Sequence, residues 1–303
     1  MRRALPWALC GVVGVAAGAA AWLGAATASS ASPAGGGAAF VAQVVTVTQA
    51  AGTAHFTYSY ASRSSNPVLA SSTAGRGAVN FAERSLTTDG TDHQTNLRSS
   101  GLLPATAVSQ TSTVGDIWIG RTNYLQMAGG PGGAGSWTSF TFPPDTFGAL
   151  GPLATVDPID ELLQASSVEG LKVVDAGRAD VGGTETTRYR LTGPACTSKN
   201  AAGALTVGLL EIWVDDQDRL VQARESETET ISAARLGAVA ARFPTAPSLA
   251  SLAGRLVLAS SVHLFDFGAP VTISPPPTVP MPVGASSSGG AIATARAMSD
   301  CLL

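Results

Sequence analysis

Alternation of apolar and polar residues with period two runs through most of the chain from residue 54 onward. Phe56, Tyr58 and Tyr60 alternate with polar residues, which predicts a half-buried strand. A second strand is predicted at Val79 and Phe81, and a third leads through 117–119 toward 124–127. Further strand-like segments are 85–98, 171–174, 185–191, 210–214, 220–230 and 261–267. The pattern predicts an antiparallel-rich sheet of about ten strands.

One short helix interrupts this pattern at 158–167. Asp157 can cap it, Pro158 suits its first position, and Ile159, Leu162 and Leu163 form one apolar stripe. The sheet pattern ends at Pro275, Pro276 and Pro277, because consecutive prolines cannot donate to a strand ladder.

The segments outside this pattern predict the domain organisation. Residues 1–31 are a short basic start followed by a long uncharged stretch with small residues at cleavage-site spacing, typical of a secretory signal; an uncleaved membrane anchor is the alternative. Residues 32–52 are an Ala/Gly/Ser-rich linker in which 40–47 resembles a short strand. The domain then occupies 53–277 with an Ala-rich insertion at 231–258, and 278–303 is a Pro/Ser/Gly-rich tail.

Composition and charge exclude several classes of protein. Charged residues make up 13% of the 303 residues, hydrophobic residues make up 45%, and the net charge is −3. The hydrophobic fraction argues against a disordered chain, and the absence of a basic surplus argues against nucleic-acid binding. No stretch after the N-terminus is long and uncharged enough for a multi-spanning membrane protein.

The candidate chemistry is sparse. His55, His93 and His263 have no metal-ligand spacing, and no nucleophile motif of the G-x-S-x-G type is present. The glycines at 129–135 predict a hairpin loop, and 215–218 predicts a tight turn between strands rather than a calcium loop. We therefore expect no enzyme activity, no catalytic residues, no cofactor and no metal.

Cysteine usage fits an exported protein. Cys10 lacks the surroundings of a lipidation site, since Leu9 and Trp7 occupy positions where other residue types are expected. Removal of the signal would leave Cys196 and Cys301, which predict a disulfide in an oxidising compartment; two free thiols are the alternative.

The order of segments from about 54 to 277, and above all "IWVDDQDRL" and "FDFGAPVTISPP", resembles the actinobacterial LppX/LprG-type envelope proteins, which are similar in fold to the LolA/LolB lipoprotein carriers. The resemblance implies an α+β fold, a strongly curved antiparallel half-barrel wrapped over a small helical element. It also implies an apolar cavity that binds acyl chains of lipids or lipoproteins in the cell envelope, at the inner-membrane surface. This chain departs from the family in lacking the lipobox cysteine.

A curved sheet of this kind could line such a cavity with apolar side chains from several strands and the helix. The candidate lining residues are Phe56, Tyr58, Tyr60, Val79, Phe81, Ile117, Ile119, Leu162, Tyr189, Ile212, Val262 and Leu264. The same residues could instead pack as a core against the helix. Two functions follow: an exported lipid or lipoprotein binder with a carrier role, or an envelope sensor or scaffold that uses the same fold to bind a protein partner.

Overall fold

A computed structural model describes residues 36–64, 70–98, 106–128, 135–142, 150–156, 158–167, 170–192, 206–231 and 254–277. The helices are α1 (Gly37–Ala50), a 3₁₀ helix (Gly151–Thr155) and α2 (Ile159–Ala165). The strands are β1 (Thr53–Ser64), β2 (Ala70–Asn80), β3 (Ser85–Arg98), β4 (Thr106–Ile119), β5 (Thr122–Ala128), β6 (Thr138–Thr141), β7 (Lys172–Val181), β8 (Thr184–Thr192), β9 (Thr206–Val214), β10 (Leu220–Ile231) and β11 (Gly254–Phe265).

All eleven strands belong to one antiparallel sheet. Their order is β6-β5-β4-β3-β2-β1-β11-β10-β9-β8-β7, so neighbours in the chain pair as hairpins and β1 joins the two halves by pairing with β11. The edge strands β6 and β7 do not pair with each other, and the sheet is open. The predicted strand 85–98 coincides with β3, and the predicted turn at 215–218 joins β9 to β10.

The two faces of the sheet have different partners. Side chains alternate between faces along each strand, and the register brings Phe56, Val79, Leu86, Trp118 and Leu264 to one face. These residues form a single buried cluster with α1, α2 and the 3₁₀ helix. We call this the inner face and the opposite one the outer face. An open antiparallel sheet that carries its helices and core on one face is consistent with the predicted half-barrel.

The segment predicted to be a linker contains the longest described helix. Val41, Val44, Val45 and Thr48 are buried at the i, i+3, i+4, i+7 spacing of a helix face. The β-branched residues that resembled a strand at 40–47 therefore supply the face of α1 that packs on the sheet. Tertiary burial outweighs their low intrinsic helix propensity.

The predicted insertion at 231–258 is shorter in the structure, because strands occupy both of its ends. β10 continues to Ile231, and β11 begins at Gly254 rather than at residue 261. Ten consecutive register pairs join these strands from Gln222 to Ile231, so the pairing extends well beyond the alternating segment. The signal segment, Asp157, Cys196, Cys301 and the tail lie outside the described residues.

Candidate functional site

Seven of the predicted cavity residues lie in the packed core. Each is at most 8% exposed and belongs to the cluster that joins the inner face to the helices. They are Phe56, Val79, Phe81, Leu162, Ile212, Val262 and Leu264. These side chains pack between the sheet and the helices, in agreement with the alternative prediction that they form a core.

Ile117 and Ile119 lie on the outer face, which corrects their assignment to the cavity. Their cross-strand neighbours are Thr87 and Ser85, whereas Trp118 pairs with Leu86 on the inner face. Trp118 is buried, and its ring lies 5.0 Å from that of Phe142. A large aromatic ring buries more apolar area than an isoleucine, which explains why the alternate set of residues faces inward.

The remaining predicted residues, Tyr58, Tyr60 and Tyr189, are half-buried on the inner face. Tyr189 packs on α1, with its ring centroid 4.7 Å from that of Phe40. Tyr58 and Tyr60 lie in the other half of the sheet. Two residues absent from the prediction, Val114 and Leu125, are half-buried on the same face.

We call Tyr58, Tyr60, Val114 and Leu125 the apolar band. The ring of Tyr58 lies flat across β2 and β3, because a Cβ added at Gly75 would be 2.7 Å from its Cε1, and one added at Gly90 would meet its hydroxyl. Val114 is the register neighbour of Gly90 on the next strand. The band thus runs across five strands as a surface of rings and aliphatic side chains. The sequence signal for the apolar band is the presence of Gly75 and Gly90 on the strands next to Tyr58. This signal can be interpreted only when the register of the strands is known.

A half-buried carboxylate lies beside this band. Asp116 is the register neighbour of Leu125 and accepts hydrogen bonds from Trp118 Nε1, at 3.0 Å, and from Asn123 Nδ2. Burial raises the pKa of Asp116 to about 6 against the favourable effect of these two donors. Among the described residues, no cationic side chain forms an ion pair with it. The carboxyl group is therefore close to half protonated in mildly acidic solution.

The inner face becomes polar toward the C-terminal end of β1 and the neighbouring parts of β2 and β3. Asp92 accepts hydrogen bonds from Thr73 Oγ1 at 3.1 Å and from Gln94 Nε2 at 2.6 Å. Ser62 and Ser71 are buried register neighbours whose hydroxyls have no hydrogen-bond partner in the described part of the chain. The inner face thus passes from a packed core, through the apolar band, to a polar end.

The histidines are separated from one another on the outer face. His55 Nδ1 lies 3.6 Å from Asp266, His93 Nδ1 lies 2.9 Å from Thr111 Oγ1, and burial lowers the pKa of His263. Within the described ranges, no group of three His, Cys, Asp or Glu side chains could hold a metal ion. Among the same residues no helix is long and apolar enough to cross a bilayer.

Comparison with known proteins gives structural neighbours only. No family model matches the chain, and no curated protein matches it. A solved structure of the lipoprotein LppX from Mycobacterium tuberculosis is similar over 78% of this chain and 97% of its own, with 15% identity and a TM-score of 0.36. A DUF1329 family protein from Desulfovibrio piger is similar over 77% and 94%, with 10% identity and a TM-score of 0.17.

Proposed function

We propose that this protein is an exported cell-envelope protein that binds acyl chains of lipids or lipoproteins on the inner face of its sheet. The observation that carries the proposal is the half-buried apolar band. In the β7–β10 half of the sheet, α1 packs against the inner face, and Val173, Leu191, Ile212 and Leu220 are buried. In the β1–β5 half, the four residues of the apolar band keep part of their surface accessible.

The energetics favour an apolar surface for this task. Moving an acyl chain out of a membrane costs about 0.8 kcal/mol per CH₂, which amounts to about 10 kcal/mol for a long chain. Hydrogen bonds cannot offset that cost, because a neutral hydrogen bond contributes only about 1 kcal/mol net. Tyr58, Val114 and Leu125 can offset part of it by contact with CH₂ groups.

The polar residues around the apolar band are compatible with binding of an amphipathic ligand. An acyl chain on the band would have Asp92 and Gln94 at the polar end of the face, where ester or hydroxyl groups could form hydrogen bonds. At the other side Asp116, with its raised pKa, can remain neutral beside hydrocarbon in mildly acidic solution. We infer one orientation for the ligand, with its head toward Asp92.

A matched pair of variants on one strand tests the proposal in the full chain. Val114→Trp fills the band on the inner face, whereas Ile117→Trp adds the same ring to the outer face of β4. The probe is cis-parinaric acid, whose fluorescence rises in an apolar site. We expect the wild type and Ile117→Trp to bind it, and Val114→Trp to lose at least about tenfold in affinity, or about 1.4 kcal/mol.

Lipid mass spectrometry of the natively purified protein gives the second measurement. Acyl lipids should co-purify with the wild type and be depleted in Val114→Trp. If Val114→Trp lowers the melting temperature strongly, Leu125→Asn replaces it as the inner-face variant. Absence of both co-purified lipid and probe uptake in the wild type would refute the proposal, as would equal binding by all folded variants.

A further inference from the structure

The outer face of the first half of the sheet carries a groove that acyl-chain binding does not use. It crosses β1 to β5 and has a volume of about 560 Å³, which falls within the range of about 300–1,000 Å³ for small-molecule sites. Its lining includes Arg76, Asp89, Thr91, Thr113, Gly115 and Gln126. The register assigns these side chains to the face opposite Tyr58 and Phe56.

A glycine forms part of the floor of this groove and has the indole of Trp137 packed against it. Gly115 stands on β4 between Asp89 of β3 and Gln126 of β5. A Cβ at Gly115 would lie 2.9 Å from Cη2 of Trp137, so only glycine lets the indole approach the sheet this closely. Gln126 Nε2 donates a hydrogen bond to the Gly135 carbonyl at 2.8 Å, which ties the segment before Trp137 to the groove.

The two charged side chains at the groove have no partner among the described residues. Arg76 and Asp89 are exposed register neighbours, yet neither forms an ion pair or a side-chain hydrogen bond with another described residue. Thr91 and Thr113 add two hydroxyls on neighbouring strands. The site thus offers a fork of donors, a carboxylate acceptor and hydroxyls that can do both.

We propose that this groove binds a short neutral oligosaccharide. Adjacent hydroxyls of a sugar ring both donate and accept, which matches a guanidinium and a carboxylate side by side. The half-buried ring of Trp137 at the edge can cover the apolar C–H face of a sugar. Asp89 offsets the attraction of the neighbouring Arg76 guanidinium for a phosphate or other anion, which favours a neutral ligand. Ala74 is the one aliphatic side chain of the lining that the register directs outward, so an acyl chain is disfavoured.

The proposal is independent of acyl-chain binding, since the two sites lie on opposite faces. Each can therefore fail separately.

Isothermal titration calorimetry of the full chain tests the groove with maltotriose, cellotriose and mannotriose as probes. The variants are Asp89→Asn and Trp137→Ala, and the control is Asp216→Asn, the same change at an exposed position in the β9–β10 turn. We expect the wild type and Asp216→Asn to bind at least one trisaccharide with a Kd tighter than about 10 mM, and each groove variant to lose about tenfold or more.

Parallel measurements keep the test decisive. Melting temperatures establish that each variant is folded, and Gln126→Ala replaces Trp137→Ala if the latter is not. Uptake of cis-parinaric acid should be the same in Asp89→Asn as in the wild type. Lack of heat with all three trisaccharides in the wild type would overturn the proposal, and so would unchanged binding by the folded groove variants.

Discussion

The two halves of the sheet fill the inner face by different means. In β7–β10, aliphatic side chains such as Leu191, Ile212 and Leu220 are buried in the cluster that includes Val41 and Val44 of α1. In β1–β5, glycines occupy several inner-face positions of β2 and β3, and the rings of Phe56 and Tyr58 lie over them; a Cβ at Gly77 would be 2.5 Å from Cζ of Phe56.

This difference separates stability from binding. A strand whose aliphatic side chains are buried in a core adds to the stability of the fold but leaves no accessible apolar surface for a ligand. A strand that contributes glycine to the inner face lets a neighbouring ring lie flat on it, which keeps one side of the ring accessible. Both halves contribute to the packed core, through Phe56, Val79, Leu86 and Trp118 in β1–β4 and through Leu191, Ile212 and Leu220 in β8–β10. Only the β1–β5 half also carries both candidate sites.

The largest expected effect on stability comes from a substitution in the β7–β10 half of the sheet. Ile212→Ala removes a fully buried side chain between β8 and β10, and we expect the free energy of unfolding to fall by about 4 kcal/mol. Ile117→Ala, at a half-buried position on the outer face, should cost less than half as much. Urea denaturation of both variants measures the difference, and equal losses would contradict the assignment of the core to the inner face.

In the β1–β5 half, we expect stability to fall when a side chain is added at one of the glycines that lie under a ring. Gly75→Val places a side chain where the ring of Tyr58 lies, and we expect a loss of about 3 kcal/mol. Ala74→Val, at the adjacent exposed position, should change stability by no more than about 0.5 kcal/mol.

A double variant isolates the contact between the added side chain and the ring. In a Tyr58→Ala background, Gly75→Val should cost clearly less, because the ring is gone while the contact with the Asp89 carbonyl persists. Additive losses in this double-mutant cycle would show that the ring does not require the glycine.

The link between α1 and the sheet gives a smaller effect. The buried Thr48 hydroxyl donates to the Val44 carbonyl at 2.7 Å and accepts from the Leu220 amide at 2.9 Å. Thr48→Val keeps the shape but leaves that amide unpaired, at a cost of about 2 kcal/mol in unfolding free energy.

Thr46 offers a matched control on the same helix. Its hydroxyl donates to the Ala42 carbonyl at 2.8 Å on the exposed side, so Thr46→Val should change stability by only a few tenths of a kcal/mol. Denaturation curves compare the two variants, and a Thr46→Val loss as large as that of Thr48→Val would contradict a specific role for the Leu220 amide.

Local patterns predicted the strands well because period-two alternation reports a half-buried sheet directly. The alternation of Phe56, Tyr58 and Tyr60 and the segment 85–98 are both confirmed. At 116–119 the isoleucines at 117 and 119 alternate with Trp118, so either set of side chains could face the core. The local sequence does not indicate which set is buried. Trp118 faces inward because its ring finds Phe142, a contact across 24 residues of chain.

Helix α1 and the apolar band were missed for different reasons. The spacing of Val41, Val44, Val45 and Thr48 was present in the sequence, but β-branched residues and flanking glycines favoured a strand within a linker. The band depends on Gly75 and Gly90 lying under Tyr58, which is a consequence of register between strands. No single segment contains that information.

The smallest expected effect is a pH dependence at the edge of the band. The pKa of Asp116 is raised to about 6 from 3.8, so the folded protein binds this proton more tightly than the unfolded chain does. Its contribution to stability is fully present below about pH 4 and is lost as the pH rises through about 6. Asp116→Asn should therefore be more stable than the wild type above pH 7, by about 1 kcal/mol after loss of part of its hydrogen bonding.

Thermal or urea unfolding from pH 4 to pH 8 measures this difference. The wild type should lose stability relative to Asp116→Asn across the interval from about pH 4 to pH 6, and the two curves should run parallel above it. Asp89→Asn, the same substitution at an exposed position on the outer face of the neighbouring strand, is measured alongside as the control for the chemistry of the change. A constant difference between wild type and Asp116→Asn at every pH would mean that the carboxyl is not desolvated beside the band, and the inner face of β4 and β5 would then be more hydrated than an acyl-binding surface requires.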